Sequence, residues 1–353
     1  MKILKVINNP PFSSIQDSGR YGYENQGVPN SGAGDMLSYR LGNLVLGNDD
    51  VPSIEIIHGN LELEFYKECS IAITGSDMNP KINSIPVKMW ETIQVDRGDI
   101  LTFHVSKNGL RSYLAIKNGF ALKEIMKSSS THSTFNIGGK KLAINDYLYC
   151  DSGPEDLKNY KLDVYPDYYK FSQVLANKKK LDVIKGPEFN NLSNKSKKEL
   201  FDSKFKISNR MGRTGVVLEG KKIEFSKNFS DIISDGTSKG VIQVPSDGKL
   251  YVLMEDSQRI GGYPRIISLT TASLNYFSQL RPGDDVMFNL ISIEEAHNKV
   301  KEMETDFFED NLSENLYQRE FTLIHDEKEF AIKLGIKNKK NITINGKPIK
   351  LEF

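Results

Sequence analysis

The chain has 353 residues, 38% hydrophobic and 26% charged, a size and balance that suit two globular domains, or three, each with its own core. With 47 Lys and Arg against 46 Asp and Glu, the net charge of +1 excludes a nucleic-acid wrapper or a polybasic membrane binder. Two widely separated cysteines, Cys69 and Cys150, suit a reducing cytosol, and no apolar run approaches the roughly 18 residues that a membrane span needs. The first residues show no secretory pattern. A cytoplasmic protein is expected, with neither membrane nor nucleic acid among its partners.

In chain order, residues 4–7 read as a strand stopped by Pro10 and Pro11. Residues 14–48 then concentrate the unusual chemistry. Gly19, Gly22, Gly27, Gly32 and Gly34 stand among Gln16, Asp17, Arg20, Ser31 and Asp35, a density that lets backbone bend tightly and approach a ligand. From Asp35 the spacing of Met36, Leu37, Tyr39, Leu41, Leu44 and Val45 predicts an amphipathic helix ending at Gly47-Asn48. The polar loop therefore leads either into an anion-favouring helix N-terminus or into a surface turn with Asp35 as the cap.

Strands are expected at 60–66, 70–74, 92–95, 100–105 and 113–116, with turns at Arg97-Gly98-Asp99 and Asn118-Gly119. His104 is expected to be packed within its strand. Lys178 to Lys180 and residues 194–198 read as solvated faces or linker. Further strands are expected at 216–218, 240–244, 250–254 and 285–290. Residues 293–315 read as a charged helix with Val300, Met303, Phe307 and Phe308 as its apolar contacts. Short strands follow at 320–334 and 341–353, with Asn345-Gly346 as a hairpin turn, forming a small docking extension.

The chain also resembles itself. LKVINNPPF from Leu4 recurs as LDVIKGPEF from Leu181, GRYG from Gly19 as NRMG from Asn209, and VDRGDILTFHV from Val95 as LRPGDDVMFNL from Leu280. Three matches in one order predict an internal duplication, with halves near 1–165 and 180–295 and an extension over 296–353.

The chain has no Walker-type phosphate loop and no G-x-S-x-G elbow, and its five histidines have no metal-ligand spacing, so no metal site is expected. A second polar concentration lies at 243–265. There Gln243 ends one strand, and Glu255, Asp256, Ser257, Gln258 and Arg259 precede Gly261-Gly262-Tyr263-Pro264, reading as a pocket mouth or as a polar hairpin loop. Arg210 is placed either to grip a carboxylate or phosphate or to form a surface salt bridge.

Taken together, IQDSGRYGYENQGVPNSGAGD, LGNLVLGN, SIEI at Ser53 to Ile56, ITGSDM, RSYLAIKNGF, SNRMG, SDGTSKGVIQVPSDG, MEDSQRIGGYPRI and LRPGDDVMF resemble the biotin-dependent carboxyltransferase family. This family is also known as allophanate hydrolase subunit 2, KipA-like proteins or the C-type subunits of 5-oxoprolinase. The resemblance spans about residues 3–295. It implies a mainly β chain built from two tandem cyclophilin-like β-barrel domains with a small C-terminal α+β extension.

The resemblance implies the C-type component of an ATP-dependent 5-oxoprolinase that opens 5-oxo-L-proline to L-glutamate with an A-type component and a KipI-like B-type component. Phosphorylation of the lactam oxygen would create a leaving group before water attacks. Alternatives within the family are carboxyl transfer from carboxybiotin to urea or a related amide, and a non-catalytic regulator that binds a KipI-like kinase inhibitor. The resemblance carries Gln16, Asp17, Arg20, Ser31, Asp35, Arg210, Gln243, Asp256, Gln258 and Tyr263 forward as site positions. Arg20 and Arg210 are then anion clamps, and Asp17 or Asp256 is the base. The chain departs from the family pattern at 257–260, where an arginine is missing at Ser257 and one appears at Arg259. It departs again at Lys127 to Thr131 and in a longer run from Arg210 to Gly220.

Overall fold

The structure, a computed structural model, describes residues 1–8, 12–106, 108–132, 134–135, 137–151, 159–163, 166, 180–226, 232–309, 311–314, 317–325, 328–335 and 342–349. Pro10, Pro11, Lys178, Lys179 and the ends of the 341–353 strand expectation lie outside these residues.

The chain is mainly β. Its first part carries β1 (Lys2–Asn8), β2 (Ser14–Gln16), helix α1 (Met36–Val45), β3 (Ser53–Ile57), β4 (Glu62–Phe65), β5 (Cys69–Gly75), β6 (Lys81–Ile82), β7 (Ile85–Pro86), β8 (Thr92–Val95), β9 (Ile100–Thr102), β10 (Arg111–Ile116) and β11 (Tyr147–Tyr149). Two sheets form, in the orders β11-β1-β4-β9-β6-β7 and β2-β3-β10-β5-β8. Alternation fixes their faces. Leu4, Val6, Leu63 and Phe65 of one sheet meet Ile54, Ile56, Ile71, Ile73, Leu114 and Ile116 of the other in a single core. The opposite face of β5 and β10 carries the small Ala72 and Ala115, against which α1 lays Leu37, Leu41 and Val45.

β12 (Tyr160–Leu162) follows and lies against the first part, Tyr160 N donating to Thr92 Oγ1 and Leu162 N to Trp90 O. The second part carries β13 (Leu181–Lys185), α2 (Asn194–Asp202), β14 (Phe205–Met211), β15 (Gly215–Glu219), β16 (Asp235–Gly236), β17 (Val241–Gln243), β18 (Leu250–Leu253), β19 (Ile260–Gly261), β20 (Arg265–Leu269), α3 (Thr271–Phe277), β21 (Asp285–Val286) and β22 (Phe288–Leu290). Eight of these strands form one sheet in the order β21-β14-β15-β18-β17-β20-β13-β22. The two edge strands are separated in sequence by Met287 alone, so the sheet curls back on itself as a nearly closed barrel. Its interior is a second core that includes Val183, Phe205, Ile207, Val252, Ile267 and Phe288.

Helix α4 (Ile293–Phe308) opens with a capping box between Ser292 and Glu295. It packs Met303, Phe307 and Phe308 toward α1, and Arg40 forms a bidentate pair with Glu304. β23 (Leu312–Glu314) pairs with β12, and β24 (Tyr317–His325), β25 (Lys328–Gly335), β26 (Ile342–Ile344) and β27 (Lys347–Ile349) form an antiparallel sheet. Asn345 and Gly346, at φ 49° and 76°, make its last turn as expected.

Several local expectations need correction. Residues 194–198 are not linker but the start of α2, because Ser193 accepts from the Ser196 amide as an N-cap and Leu200 is buried. The predicted helix to 315 stops at Phe308, where residues 312–314 gain a strand partner instead. The strand from Ile100 ends at Thr102, leaving His104 exposed beyond it rather than packed.

Of the repeat matches, the third is one turn used twice. Gly98 N donates to Phe65 O and Phe65 N to Asp99 O, while Gly283 N donates to Ile207 O and Ile207 N to Asp284 O. The two glycines have φ of 90° and 93°. The first match gives the strands β1 and β13. The second occupies unlike settings, a loop at Gly19–Gly22 and a strand end at Asn209–Gly212.

Candidate functional site

The polar segments of the two parts meet in a buried seam. Two stretches of the glycine-rich loop stack on each other: a Cβ on Gly19 would lie 2.9 Å from Asn30 O, and one on Gly32 2.8 Å from Ser18 O, both at positive φ. This close stacking turns Asp17, Arg20 and Ser31 inward.

Asp17, 7% exposed, accepts from the amides of Gly19 and Ser129 and from the hydroxyls of Ser128 and Ser130. Arg20, 1% exposed, donates through Nη2 to Ser130 O. Gln16 donates to Ser14 Oγ and Thr131 O. The serine run 128–130, read from sequence only as a departure from the family pattern, is therefore the cradle of Asp17. A run of small hydroxyl residues in a loop was its one sequence signal.

Arg213 ties the parts together. Its Nη1 lies 2.6 Å from Glu55 Oε1, its Nε 3.1 Å from Asp256 Oδ2, and its Nη2 2.7 Å from Gly32 O and 3.3 Å from Gln16 Oε1. Burial opposes its charge, but Asp256, Glu55 and Glu255 outweigh that and raise its pKa. Glu55 Oε2 is filled by the Gly34 amide and the Tyr113 hydroxyl, each at 2.7 Å. Gln279, just past α3, accepts from the amides of Leu110 and Arg111 and donates to Asp35 Oδ2 and Arg111 O.

Glu255 is fully buried. Burial alone would push its carboxyl up, but Lys239, Arg111 and Arg213 hold it at about 2. Lys239 Nζ stands 3.1 Å from Oε1, at ion-pair distance but off hydrogen-bond geometry. His132 is buried and stacks on Phe135 with centroids 4.5 Å apart. Burial lowers its pKa, with Arg20 and Arg213 adding to the effect and Asp256 opposing it.

The seam gathers Gln16, Asp17, Arg20, Ser31, Asp35 and Asp256, all buried, whereas Gln243, also buried, lies apart from them beside Tyr263 and Gly261. It does not gather Arg210, which is exposed and sits over the Tyr251 ring 5.9 Å from its centroid. Gln258 and Tyr263 are also exposed, and their carbonyls accept from Thr237 and Gln243. The N-terminus of α1 is not open to an outside anion, because Asp35 itself caps it through Ser38 N at 3.1 Å. Sequence reasoning passed over Glu55, Arg213, Gln279 and His132 as site residues, since each sits in an unremarkable strand, turn or helix end and gains its meaning from a distant partner.

Beside the seam a cleft of about 320 Å³ opens between Phe12, Ile57, Leu110 and Met211, with His58, Arg111, Thr131 and Arg213 also in its wall. His58 holds a left-handed backbone at φ 68°, and burial, then Arg111 and Arg281, lower its pKa.

A family model described as "Carboxyltransferase domain, subdomain A and B" matches residues 26–290. The C-type subunit of 5-oxoprolinase from Escherichia coli (strain K12) is 30% identical over 308 residues, covering 87% of this chain and 97% of that protein. Its namesake from Haemophilus influenzae is 28% identical over 298 residues, covering 83% and 93%. Among solved structures, the K. lactis urea amidolyase aligns with a TM-score of 0.75 at 26% identity, over 94% of this chain. This chain spans only 22% of that enzyme. With a family match that takes in most of both parts, the chain belongs to the family of the carboxyltransferase domain, subdomain A and B.

Proposed function

We propose that this chain is the C-type component of an ATP-dependent 5-oxoprolinase, opening 5-oxo-L-proline to L-glutamate together with an A-type component and a KipI-like B-type component in the cytoplasm. The observation that carries the reading is coverage: the likeness to the E. coli 5-oxoprolinase protein takes in 97% of its length, whereas only 22% of urea amidolyase is spanned. The seam supplies buried guanidinia, hydroxyls and carboxylates out of water, where fixed donors act most strongly on charge developing on a substrate.

The seam does not fit a triphosphate. Arg20, Arg111, Arg213, Lys239 and Arg259 are balanced by Asp17, Asp35, Glu55, Glu255 and Asp256, five against five, so no cationic surplus is available. No step is therefore assigned to ATP in this chain, and its use belongs to the assembled complex. Co-expression with the A-type and B-type components, followed by an assay of 5-oxoproline-dependent ATP hydrolysis, tests the reading. An assembled complex without turnover would overturn it.

A second reading, carboxyl transfer from carboxybiotin to urea or a related amide, is favoured by the fold match to urea amidolyase over 94% of this chain. The apolar cleft with Arg111 and Arg213 in its wall suits a small carboxylated ring, and these two residues would hold it. Biotin would supply the carboxyl group. Urea-dependent decarboxylation of a carboxylated carrier, measured with the purified chain, separates this reading from the first.

A further inference from the structure

Buried polar groups are nearly always hydrogen-bonded, so a cluster of unpaired ones calls for an occupant. Among the described residues, twelve buried side-chain polar atoms have no hydrogen-bond partner. Five of them belong to Arg20 (Nε and Nη1), Arg259 (Nε), Ser31 (Oγ) and Ser257 (Oγ), and His132 lies beside them. These residues come from three segments that touch. Ser31 N and Arg259 Nη2 both donate to Glu255 O at 3.1 Å, Arg20 Nη2 donates to Ser130 O, and His132 hydrogen-bonds the Asp256 main chain within the field of Arg20. All five residues are at most 6% exposed.

The vacant valences are mainly donors. His132 Nδ1 accepts from the amides of Thr134 and Phe135 at 3.3 and 3.1 Å, which leaves the proton on Nε2, where it serves the Asp256 main chain. A guanidinium offers five N–H donors in a planar fork, and Arg20 uses only Nη2. Of the neighbouring carboxylates, Asp17 is engaged by the 128–130 loop and Gly19, Asp256 by Arg213, and Glu24 by Asn30 and the Gly22 amide, while Glu255 stands at ion-pair distance from Lys239. Burial accordingly lowers the proton affinity of both Arg20 and Arg259.

We propose that Arg20 and Arg259 form a subsite for the carboxylate of a small substrate. On the 5-oxoprolinase reading, on which this assignment rests, that group is the carboxylate of 5-oxo-L-proline. A planar monoanion matches the forked donors, and in a seam whose charges already balance it adds the least excess charge. A phosphate dianion would add twice as much. Arg20 is sealed from solvent, so a ligand reaches it only when the surrounding stretch 20–30 opens. The Asn30 side chain, donating to Arg20 O and to Glu24, ties that stretch to the site.

The test is thermal stabilisation of the full chain by acetate, 5-oxo-L-proline, pyrrolidin-2-one and inorganic phosphate at matched ionic strength, with Arg259→Gln, Arg20→Lys and Arg210→Ala alongside. Circular dichroism without ligand verifies that each variant folds. Expected are stabilisation of the wild type and of Arg210→Ala by acetate and more strongly by 5-oxo-L-proline, at least tenfold weaker binding of pyrrolidin-2-one, and at least tenfold weaker carboxylate binding by Arg259→Gln. Equal binding of pyrrolidin-2-one or of phosphate, unchanged binding by folded Arg259→Gln, or no response to either carboxylate would overturn the subsite. The two readings separate cleanly. Acetate protection that depends on Arg259, without turnover by the assembled complex, keeps the subsite and removes the hydrolase. Turnover with an unchanged KM in Arg259→Gln does the reverse.

Discussion

Arg213 and Glu55 are 158 positions apart in the chain and meet at 2.6 Å between Nη1 and Oε1, with side-chain exposures of 9% and 0%. The pair joins the β14–β15 turn to β3 and closes the seam around Gln16 and Asp256. A buried pair of this kind is weak support for stability as a whole, but breaking it leaves uncompensated charge.

Arg213→Met should therefore cost about 3–5 kcal/mol in urea unfolding, since it strands the carboxylates of Glu55 and Asp256. Adding Glu55→Gln should recover part of the loss. A change of less than about 1 kcal/mol in the single variant would mean that water, not Arg213, compensates those carboxylates.

Asp17→Asn replaces an acceptor-only group with one that must turn an NH2 toward the hydroxyls of Ser128 and Ser130 or the amides of Gly19 and Ser129. Loss of these charge-assisted bonds should cost about 2 kcal/mol and loosen the 128–131 loop. Hydrogen exchange at Ser129 and Ser130 reports this directly. Protection equal to the wild type would show that the cradle does not depend on the charge.

Glu255 gives a pH dependence. Its folded pKa of about 2 lies below the ordinary glutamate value near 4.3, so the ionised form stabilises the fold above that value and the contribution is lost as pH falls toward 2. The expected loss is on the order of 3 kcal/mol across this window, at about 1.4 kcal/mol per pH unit between the two values. Glu255→Gln should flatten the acid limb of a stability-versus-pH curve. An unchanged limb would place the acid sensitivity on other carboxylates.

Exposed ion pairs should matter far less. Arg40 and Glu304 are about 40% exposed, so Arg40→Ala should cost no more than about 1 kcal/mol, including its stacking on Phe308, and the cost should shrink in 1 M salt. Differential unfolding of the two variants Arg40→Ala and Glu304→Ala checks this. A cost above about 2 kcal/mol would make this pair, rather than the apolar contacts of Met303, Phe307 and Phe308, the main anchor of α4.

The sequence by itself determined the elements whose cause is local. Helix α1 follows from the spacing of Leu37, Leu41 and Val45 behind an Asp35 cap, the two Gly-Asp turns from a glycine at positive φ, and the mainly β character from runs such as 70–74. It also singled out the two polar concentrations at 14–35 and 243–265. Which of their residues form a site was decided by tertiary structure alone. Arg210 and Arg213 are three positions apart and alike in chemistry, yet one ends on the outer surface over Tyr251 and the other in the seam. The turn between β14 and β15 sets that difference, together with partners supplied by distant strands. Glu55, Gln279 and His132 were invisible for the same reason. The energy of a buried charge depends on what lies within a few ångströms of it, and sequence spacing does not encode that distance once the chain has crossed from one barrel to the other.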